Sequence, residues 1–209
     1  MEEGLDSMPP NSKNLRWHKG SVSRKQRAEL LGHQGCCLWL TGLSGAGKST
    51  IARRVEQLLV ERGVHCYVLD GDNLRMGLNK DLGFKPEDRQ ENIRRVTELA
   101  RLFVDSGAVV LCAFISPYRA DRDAARRLLQ EDFAEVFIDA DLATCEQRDP
   151  KGLYQRARNG EIDDFTGISA PYQAPENPEL SLDTGRSSLD QCADQILQWL
   201  EAQGLISKL

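Results

Sequence analysis

Residues 42–50 read Gly42-Leu43-Ser44-Gly45-Ala46-Gly47-Lys48-Ser49-Thr50. This stretch fits the pattern G-x-x-x-x-G-K-[ST], which forms a P-loop when a strand precedes it and a helix follows it. The apolar run from Cys36 to Leu40 comes before the stretch, and a helix-like pattern from Ser49 to Arg62 follows it. The alternative, a glycine-rich surface turn, does not account for these flanking patterns. We therefore predict a site for a nucleoside triphosphate.

Each residue type in the stretch has a use in holding phosphate. The three glycines allow a tight curl that brings backbone N–H groups close to the anion, and the following helix directs its positive end at the same place. Lys48 supplies a charge for the β- and γ-phosphates, and the Ser49 hydroxyl can ligate Mg²⁺. We expect the whole stretch from Gly42 to Thr50 to contact ATP, with Mg²⁺ as the cofactor.

Length and composition limit the other possibilities. The chain has 209 residues, 40% hydrophobic and 28% charged, which suits one globular domain with a single core. Its net charge of -5 argues against a general nucleic-acid binder, and no apolar run approaches the roughly 18 residues of a membrane span. Met1 to Asn14 is polar and is predicted to be flexible, unlike a signal peptide, with the domain covering residues 15–209. Together with six scattered cysteines, predicted to be reduced and mostly buried, this leads us to expect a cytoplasmic location.

Strand-like and helix-like patterns alternate along the chain. A helix is predicted before the first strand, from Val22 to Gly32, and a long helix runs from Pro86 to about Ser106. The alternation predicts an α/β fold of the P-loop NTPase type, with a parallel sheet covered by helices on both faces in a single domain. The five predicted strands are Cys36–Leu40, Val64–Leu69, Ala108–Ile115, Glu135–Asp139 and Glu179–Leu182.

Polar residues follow the predicted strands, where ligands bind in sheets of this kind. The turn-like segment Asp70-Gly71-Asp72-Asn73 follows the second strand, whereas the third strand carries no terminal Asp. We therefore assign metal binding to Asp70, and we expect Asp70 or Asp72 to orient or deprotonate the attacking hydroxyl. An ordinary Asp- and Gly-rich turn is the alternative.

Positive and aromatic side chains are predicted around the same edge. Arg148 lies in a segment where small P-loop kinases carry a lid, and it can neutralise the transferred phosphoryl group. Phe84 and Phe165 lie in polar loops, where base stacking and local packing are equally reasonable readings. Ordinary solvated surface is the expectation for Arg94. The cations on the predicted ligand face are Arg75, Arg89, Arg94, Arg95, Arg119, Arg122, Arg148, Lys151, Arg156 and Arg158.

Several longer segments resemble one family. They include Trp17-His18, the P-loop stretch from Trp39, Leu69-Asp70-Gly71-Asp72-Asn73, Asp81-Leu82-Gly83-Phe84, Phe114-Ile115-Ser116-Pro117, the run from Cys145 to Tyr154, and Phe165-Thr166-Gly167-Ile168. On these segments the chain closely resembles the adenylyl-sulfate kinases, also called APS kinases. The likeness extends over nearly the whole chain after its first dozen residues.

The resemblance implies transfer of the γ-phosphoryl group of ATP to the 3′-hydroxyl of adenylyl sulfate. It also implies a homodimer, an adenine held between Phe84 and Phe165, and a role for Ser116. That role is either a phosphorylated intermediate or, as we expect on chemical grounds, a hydrogen bond that positions the acceptor. The residues that the resemblance places against adenylyl sulfate are Asp72, Arg75, Phe84, Arg89, Asn92, Ile115, Ser116, Lys151, Phe165 and Thr166.

Two other functions remain compatible with the fold. A kinase of the same architecture could act on a different small metabolite or nucleoside, since fold alone does not fix function. A non-catalytic nucleotide-binding regulator could keep the P-loop as a switch. The presence of Lys48, Ser49, Asp70 and Asp72 argues against the regulator, because a kinase that has lost its catalytic activity could also lose those groups.

Overall fold

A computed structural model describes His18 and residues 20–208 of the chain. The prediction of a flexible segment from Met1 to Asn14 lies outside the described residues. The five strands are β1 (Cys36–Thr41), β2 (Cys66–Asp70), β3 (Val109–Ala113), β4 (Phe133–Asp139) and β5 (Leu180–Asp183). The helices are α1 (Arg24–Leu31), α2 (Lys48–Glu61), α3 (Gly71–Met76), α4 (Pro86–Asp105), α5 (Arg119–Leu129), α6 (Leu142–Arg148), α7 (Leu153–Arg158) and α8 (Leu189–Ala202).

The strands form one parallel sheet in the order β2-β3-β1-β4-β5. Leu38 in the central strand β1 pairs with Leu111 of β3 and with Ala134 of β4. All six residues of β1 are buried, as expected for a strand that has neighbours on both sides and helices on both faces. The predicted α/β fold of the P-loop type is confirmed.

Side chains alternate between two apolar layers along β1. Leu38 and Leu40 belong to the layer that α2 and α8 cover, whereas Cys37 and Trp39 belong to the layer under α4 and α5. Because successive side chains of a strand point to opposite faces, one short apolar run supplies both layers. The sheet is therefore held from both sides, and its carboxyl edge stays open for ligands.

The predicted element boundaries agree with the structure within a few residues, with one difference at the carboxyl end of β2. No helix was predicted after Asp70, where an ordinary turn was the alternative to a site, and this segment forms the short helix α3. The Asp70 side chain accepts a hydrogen bond from the backbone N–H of Asp72 at 3.0 Å, which caps the first turn of that helix. The same residue types favour turns and helix N-termini, so the sequence pattern did not separate the two.

Two further features bear on the sequence predictions. Within the described residues, no helix is long and apolar enough to cross a membrane. All six cysteines lie buried as free thiols, as predicted. Cys37 and Cys112, on neighbouring strands, have sulfur atoms 3.7 Å apart.

Candidate active site

The P-loop connects β1 to α2 and curls around the amino end of that helix. Gly42, Gly45 and Gly47 all have positive φ, and a Cβ on Gly42 would lie 2.5 Å from the carbonyl oxygen of Ile138. Only glycine fits this close approach between the loop and β4. Gly47 is the N-cap of α2, and because glycine has no side chain, no side-chain hydrogen bond caps the first N–H groups of the helix. The loop therefore presents backbone donors at the positive end of a 14-residue helix, which suits phosphate.

Lys48 is almost fully buried beneath the loop. Its Nζ donates hydrogen bonds to the carbonyl oxygens of Gly42 at 2.9 Å and Leu43 at 2.7 Å. Burial lowers the pKa of Lys48 to about 8, and the nearby Lys151 charge acts in the same direction, while Asp70 and Asp72 oppose it. A bound phosphate group would supply the negative charge that balances this buried ammonium.

Asp70 lies buried at the end of β2, beside the P-loop. One of its oxygens caps α3, and the other is 3.6 Å from the guanidinium of Arg53 on α2. Ser49 is the second residue of α2 and lines the same cavity. A hydroxyl and a carboxylate are the oxygen ligands that Mg²⁺ prefers, and it commonly completes its shell with waters and substrate phosphates. This agrees with the absence, among the residues described, of any group of three or more His, Cys, Asp or Glu side chains that could hold a metal alone.

Asp72 and Lys151 form an ion pair across the cavity mouth. Asp72 projects from α3, and Lys151 lies in the connection between α6 and α7. Both side chains are more than half exposed, so the pair contributes little to stability, and its partners can exchange for a charged ligand.

Arg89 joins the two loops that were predicted to hold the acceptor. Its guanidinium donates to the Phe84 carbonyl at 2.7 Å, to the Thr166 hydroxyl at 3.0 Å and to the Asp164 carbonyl at 2.7 Å. These loops are some 80 positions apart in sequence, yet the half-buried Arg89 side chain is hydrogen-bonded to both. The predicted grouping of Arg89, Phe84 and Thr166 is therefore present in the structure.

The two candidate stacking aromatics differ in their surroundings. Phe84 is 64% exposed, and Arg75 lies over its ring, 4.4 Å from the centroid, while donating to the carbonyls of Leu82 and Gly83. Phe165 is 8% exposed and packs edge-on against Tyr154, with centroids 5.0 Å apart. Of the two readings left open by the sequence, the Phe84 ring is free to stack on a base, whereas local packing describes Phe165, because Tyr154 and the apolar layer beneath it bury the second ring.

Ser116 follows β3 and is 2% exposed. Its hydroxyl accepts a hydrogen bond from the Trp39 indole N–H at 3.1 Å and donates one to the Thr41 hydroxyl at 3.0 Å. Among the described residues, no basic side chain is hydrogen-bonded to the hydroxyl to take its proton, which a serine nucleophile requires. The geometry favours a positioning role for Ser116.

Arg148, the last residue of α6, ties the P-loop to the end of β5. Its guanidinium donates to the Thr184 carbonyl at 2.5 Å and lies 3.5 Å from the carbonyl oxygens of Gly45 and Ala46. The Thr184 hydroxyl donates to Ala46 at 2.9 Å. No role was predicted for Thr184 from the sequence, and its contact with the P-loop depends on the tertiary structure.

One cavity of about 1550 Å³ contains these groups. It exceeds the roughly 300–1000 Å³ of a pocket for one drug-sized ligand, so it has room for two nucleotides. Gly42 and Leu43 do not line it, since they shape the loop from behind and accept the Lys48 hydrogen bonds. Every other predicted site residue borders it: Ser44, Gly45, Ala46, Gly47, Lys48, Ser49, Thr50, Asp70, Asp72, Arg75, Phe84, Arg89, Asn92, Ile115, Ser116, Arg148, Lys151, Phe165 and Thr166.

Half of the cations predicted to face the ligands lie elsewhere. Arg75, Arg89, Arg148, Lys151 and Arg156 border the cavity. The others are outside it and pair with carboxylates: Arg94 with Glu91, Arg95 with Asp81 and Glu91, Arg119 with Glu176, Arg122 with Glu135, and Arg158 with Glu146. The abundance of basic residues in the sequence did not show which helix faces they occupy.

A family comparison agrees with this geometry. Residues 34–183 match the family model described as Adenylylsulphate kinase. This chain belongs to the adenylylsulphate kinase family. Curated adenylyl-sulfate kinases of Staphylococcus carnosus and Pseudomonas entomophila are each 54% identical to it, over 93% of this chain and 98% and 94% of their own lengths.

Solved structures of adenylylsulphate kinases share the fold. The APS kinase CysC of Mycobacterium tuberculosis, in complex with AMPPNP and APS, is 51% identical, with a TM-score of 0.78 over 81% of this chain and 99% of that one. A hexameric APS kinase from Thiobacillus denitrificans is 32% identical over 83% of this chain and 30% of that one, with a TM-score of 0.62. A gluconokinase from Sinorhizobium meliloti, 17% identical with a TM-score of 0.54, shares the fold alone. The family predicted from the sequence is confirmed.

Proposed function

We infer that this member of the adenylylsulphate kinase family is an ATP-dependent adenylyl-sulfate kinase. It transfers the γ-phosphoryl group of ATP to the 3′-hydroxyl of adenylyl sulfate, giving ADP and 3′-phosphoadenylyl sulfate. The observation that carries this conclusion is the single cavity, which joins the P-loop to the acceptor loops around Phe84 and Phe165. Two polyanions meet there, so positive groups are needed along its whole length.

We propose that the P-loop side of the cavity holds ATP. The backbone N–H groups of the loop and the Lys48 ammonium would bind the phosphates, and Arg148 would neutralise charge that develops on the transferred group. Ser49 and Asp70 would hold Mg²⁺, which supplies charge neutralisation between the β- and γ-phosphates. Thr50 is an exposed residue in the first turn of α2, and it lies at the rim of the same cavity.

We propose that the opposite side holds adenylyl sulfate. The adenine would stack on the exposed face of Phe84 and against the buried ring of Phe165, with Ile115 beneath it. Arg75, Arg89, Lys151, Asn92 and Thr166 would bind its anionic and polar groups. Asp72 would be available to the 3′-hydroxyl once Lys151 turns to the ligand, because its carboxylate is held by an exposed ion pair.

Ser116 would position the acceptor in this proposal and form no phosphoenzyme. In-line transfer between two bound nucleotides needs alignment and charge neutralisation, which the cavity supplies. The hydroxyl lies within a chain of hydrogen bonds, with its proton directed to Thr41.

We further propose a homodimer and a cytoplasmic location. The cytoplasmic location is supported by the six buried free thiols, which suit a reducing compartment.

The homodimer is supported by two apolar side chains exposed near the edge strand β2, Tyr67 and Leu102. They offer a surface that a second copy could cover.

The experiment that tests this function measures ADP release with Mg·ATP and three acceptors: adenylyl sulfate, AMP and adenosine. We expect adenylyl sulfate to give by far the highest kcat/KM and EDTA to abolish turnover. Equal rates with AMP would assign the cavity to another nucleotide kinase. ADP release that no acceptor stimulates would contradict a kinase that acts on this class of substrate.

A further inference from the structure

Arg122 is a buried cation outside the cavity. It projects from α5, is 1% exposed, and pairs with Glu135 of β4 at 2.5 Å. Its two terminal nitrogens donate to backbone carbonyls of separate loops, to Ser116 at 2.7 Å and to Gln173 at 2.6 Å. The planar guanidinium thus makes three directed contacts, which a lysine ammonium on the same stem does not reproduce.

Burial of this ion pair does not by itself explain the arginine. Removing two charges from water offsets most of their attraction, and an apolar pair of similar volume would often be as stable. What the arginine adds is direction, because two of its contacts fix the positions of loop carbonyls. One of those carbonyls belongs to Ser116.

Ser116 is held in an unfavourable backbone conformation. Its φ is +39°, in the left-handed region that residues with a Cβ seldom adopt. Such strain persists only where the surroundings fix it, and it clusters at functional sites. Arg122 holds the carbonyl of this residue, while Trp39 and Thr41 hold its hydroxyl.

The donor of each hydrogen bond in this cluster follows from the number of hydroxyl protons available. The single Thr41 proton goes to the Ile115 carbonyl at 2.8 Å, so Ser116 and Tyr172 must both donate to the Thr41 oxygen. Ser116 in turn accepts from Trp39. The Ser116 hydroxyl therefore has its proton engaged with Thr41 at the cavity wall, and a shift of the backbone would break these hydrogen bonds.

We propose that Arg122 is a positioning residue for the acceptor, which acts by locking Ser116 in its left-handed conformation at the cavity wall. The role rests on the proposed function, since Ser116 borders the acceptor side of the cavity. Arg122 itself touches no ligand.

The first test is Arg122→Lys, with Arg126→Lys as the matched control. Lysine keeps the charge beside Glu135 and loses the fork to the two carbonyls. Arg126 lies one turn along the same helix and faces Glu135 at 3.6 Å and Glu179 at 2.5 Å, with no contact to Ser116. For Arg122→Lys we expect the KM for adenylyl sulfate to rise roughly tenfold or more, from loss of charged hydrogen bonds, and the KM for ATP to stay within about twofold. Arg126→Lys should change neither.

The second test addresses the backbone directly. Glycine adopts positive φ freely, whereas alanine does not. Ser116→Gly and Ser116→Ala should weaken acceptor binding to a similar degree in the wild-type background. In the Arg122→Lys background, the glycine variant should retain a several-fold lower KM than the alanine variant. Equal values in both backgrounds would overturn the proposed lock.

A spectroscopic readout separates this proposal from the proposed function. The chain has three tryptophans, so the Trp39 indole N–H resonance can be assigned by replacing Trp17 and Trp199. Because this N–H donates to Ser116, Arg122→Lys should shift its resonance and Arg126→Lys should not. If wild type is inactive on adenylyl sulfate but the resonance shifts as expected, the function is wrong and the lock is retained. An unchanged resonance, or equal increases in both KM values, would overturn the lock. Should Arg122→Lys not fold, Glu135→Gln removes the carboxylate charge that orients the Arg122 guanidinium, and it should shift the same Trp39 resonance. An unchanged resonance in that variant would overturn the lock.

Discussion

At the scale of single residues, Lys48 shows how burial prepares a charge for its ligand. Its ammonium is enclosed by loop carbonyls, and burial lowers its pKa to about 8, so above that pH the free protein holds it mostly neutral. Phosphate favours the protonated form and should raise the pKa again. Nucleotide binding is therefore expected to be coupled to proton uptake.

Calorimetry at about pH 9, in buffers of different ionisation enthalpy, tests this coupling. Wild type should take up roughly one proton per ATP bound, because the Lys48 pKa passes from below to above the working pH. Lys48→Arg is the matched control, since an arginine stays charged and should show no such uptake. Equal uptake by both proteins would contradict the assignment to Lys48.

Lys48→Ala should lower turnover by on the order of a hundredfold or more, from the loss of a preorganised charge at the phosphates. Steady-state rates of ADP release measure the effect, and circular dichroism checks the fold. Near-normal turnover would rule out the proposed phosphate site.

Phe165 combines a site position with a place in the core. Phe165→Ala should lower the free energy of unfolding by about 3–5 kcal/mol, because it leaves a cavity against Tyr154, and should also weaken acceptor binding. Phe84→Ala, at an exposed ring, should change the free energy of unfolding by no more than about 0.5 kcal/mol while still weakening acceptor binding. Urea denaturation and acceptor titrations measure the two effects. Similar losses of stability in both variants would contradict the different burial of the two rings.

At the scale of elements, the connection between α1 and β1 depends on a neutral histidine. His33 lies between these elements, is 5% exposed, and its Nε2 accepts a hydrogen bond from the backbone N–H of His65 at 2.9 Å. Burial lowers the pKa of His33 below its ordinary 6.5, and the neighbouring His65 ring acts in the same direction. Protonation would remove the acceptor and place a charge in a buried site.

The free energy of unfolding should therefore depend on pH through His33. The unfolded chain binds this proton more readily, so the contribution is fully present above about pH 6.5 and is lost as pH falls through the folded-state pKa. His33→Gln keeps an acceptor for the His65 N–H and does not titrate, so its pH slope should be smaller. Urea denaturation between about pH 7 and pH 5 measures the difference, with His18→Gln, at an exposed histidine, as the control. Parallel slopes for wild type and His33→Gln would exclude this role.

At the scale of the whole molecule, the parallel sheet places every strand end at one edge, and the cavity lies along it. Because the sheet is open, β2 lies at one of its edges, next to β3. There Tyr67 is 51% exposed and stacks on Phe103 of α4, and the adjacent Leu102 is 55% exposed. An exposed apolar patch beside a strand edge is a surface that a second copy can cover.

Light scattering after size exclusion should give twice the 23.4 kDa mass of the chain, in line with the proposed homodimer. If the patch forms the contact, Leu102→Glu should shift the mass toward the monomer, because it places a charge in an apolar interface. Glu98→Gln, on the same helix, serves as the control. A monomeric wild type would contradict the dimer, and a dimeric Leu102→Glu would place the contact elsewhere.

The sequence by itself determined the fold class, the P-loop, the order of the strands along the chain and most of the site. These features could be predicted because each depends on residues that are close together in the sequence. Examples are the alternating apolar runs and the three glycines and lysine before a helix. The residues after β2 border the cavity, and their helix was not predicted, because Asp and Gly occur both in turns and at the start of helices.

Only the tertiary structure decided which side chains face the cavity and which are enclosed. Phe165 was buried by Tyr154, Arg122 was turned inward to Glu135, and Thr184 was brought against Ala46, each across a long interval of sequence. Basic and aromatic residues at loop positions have no local pattern that fixes their direction. Their surroundings depend on how distant elements pack, and that packing is settled by burial of the two apolar layers as a whole.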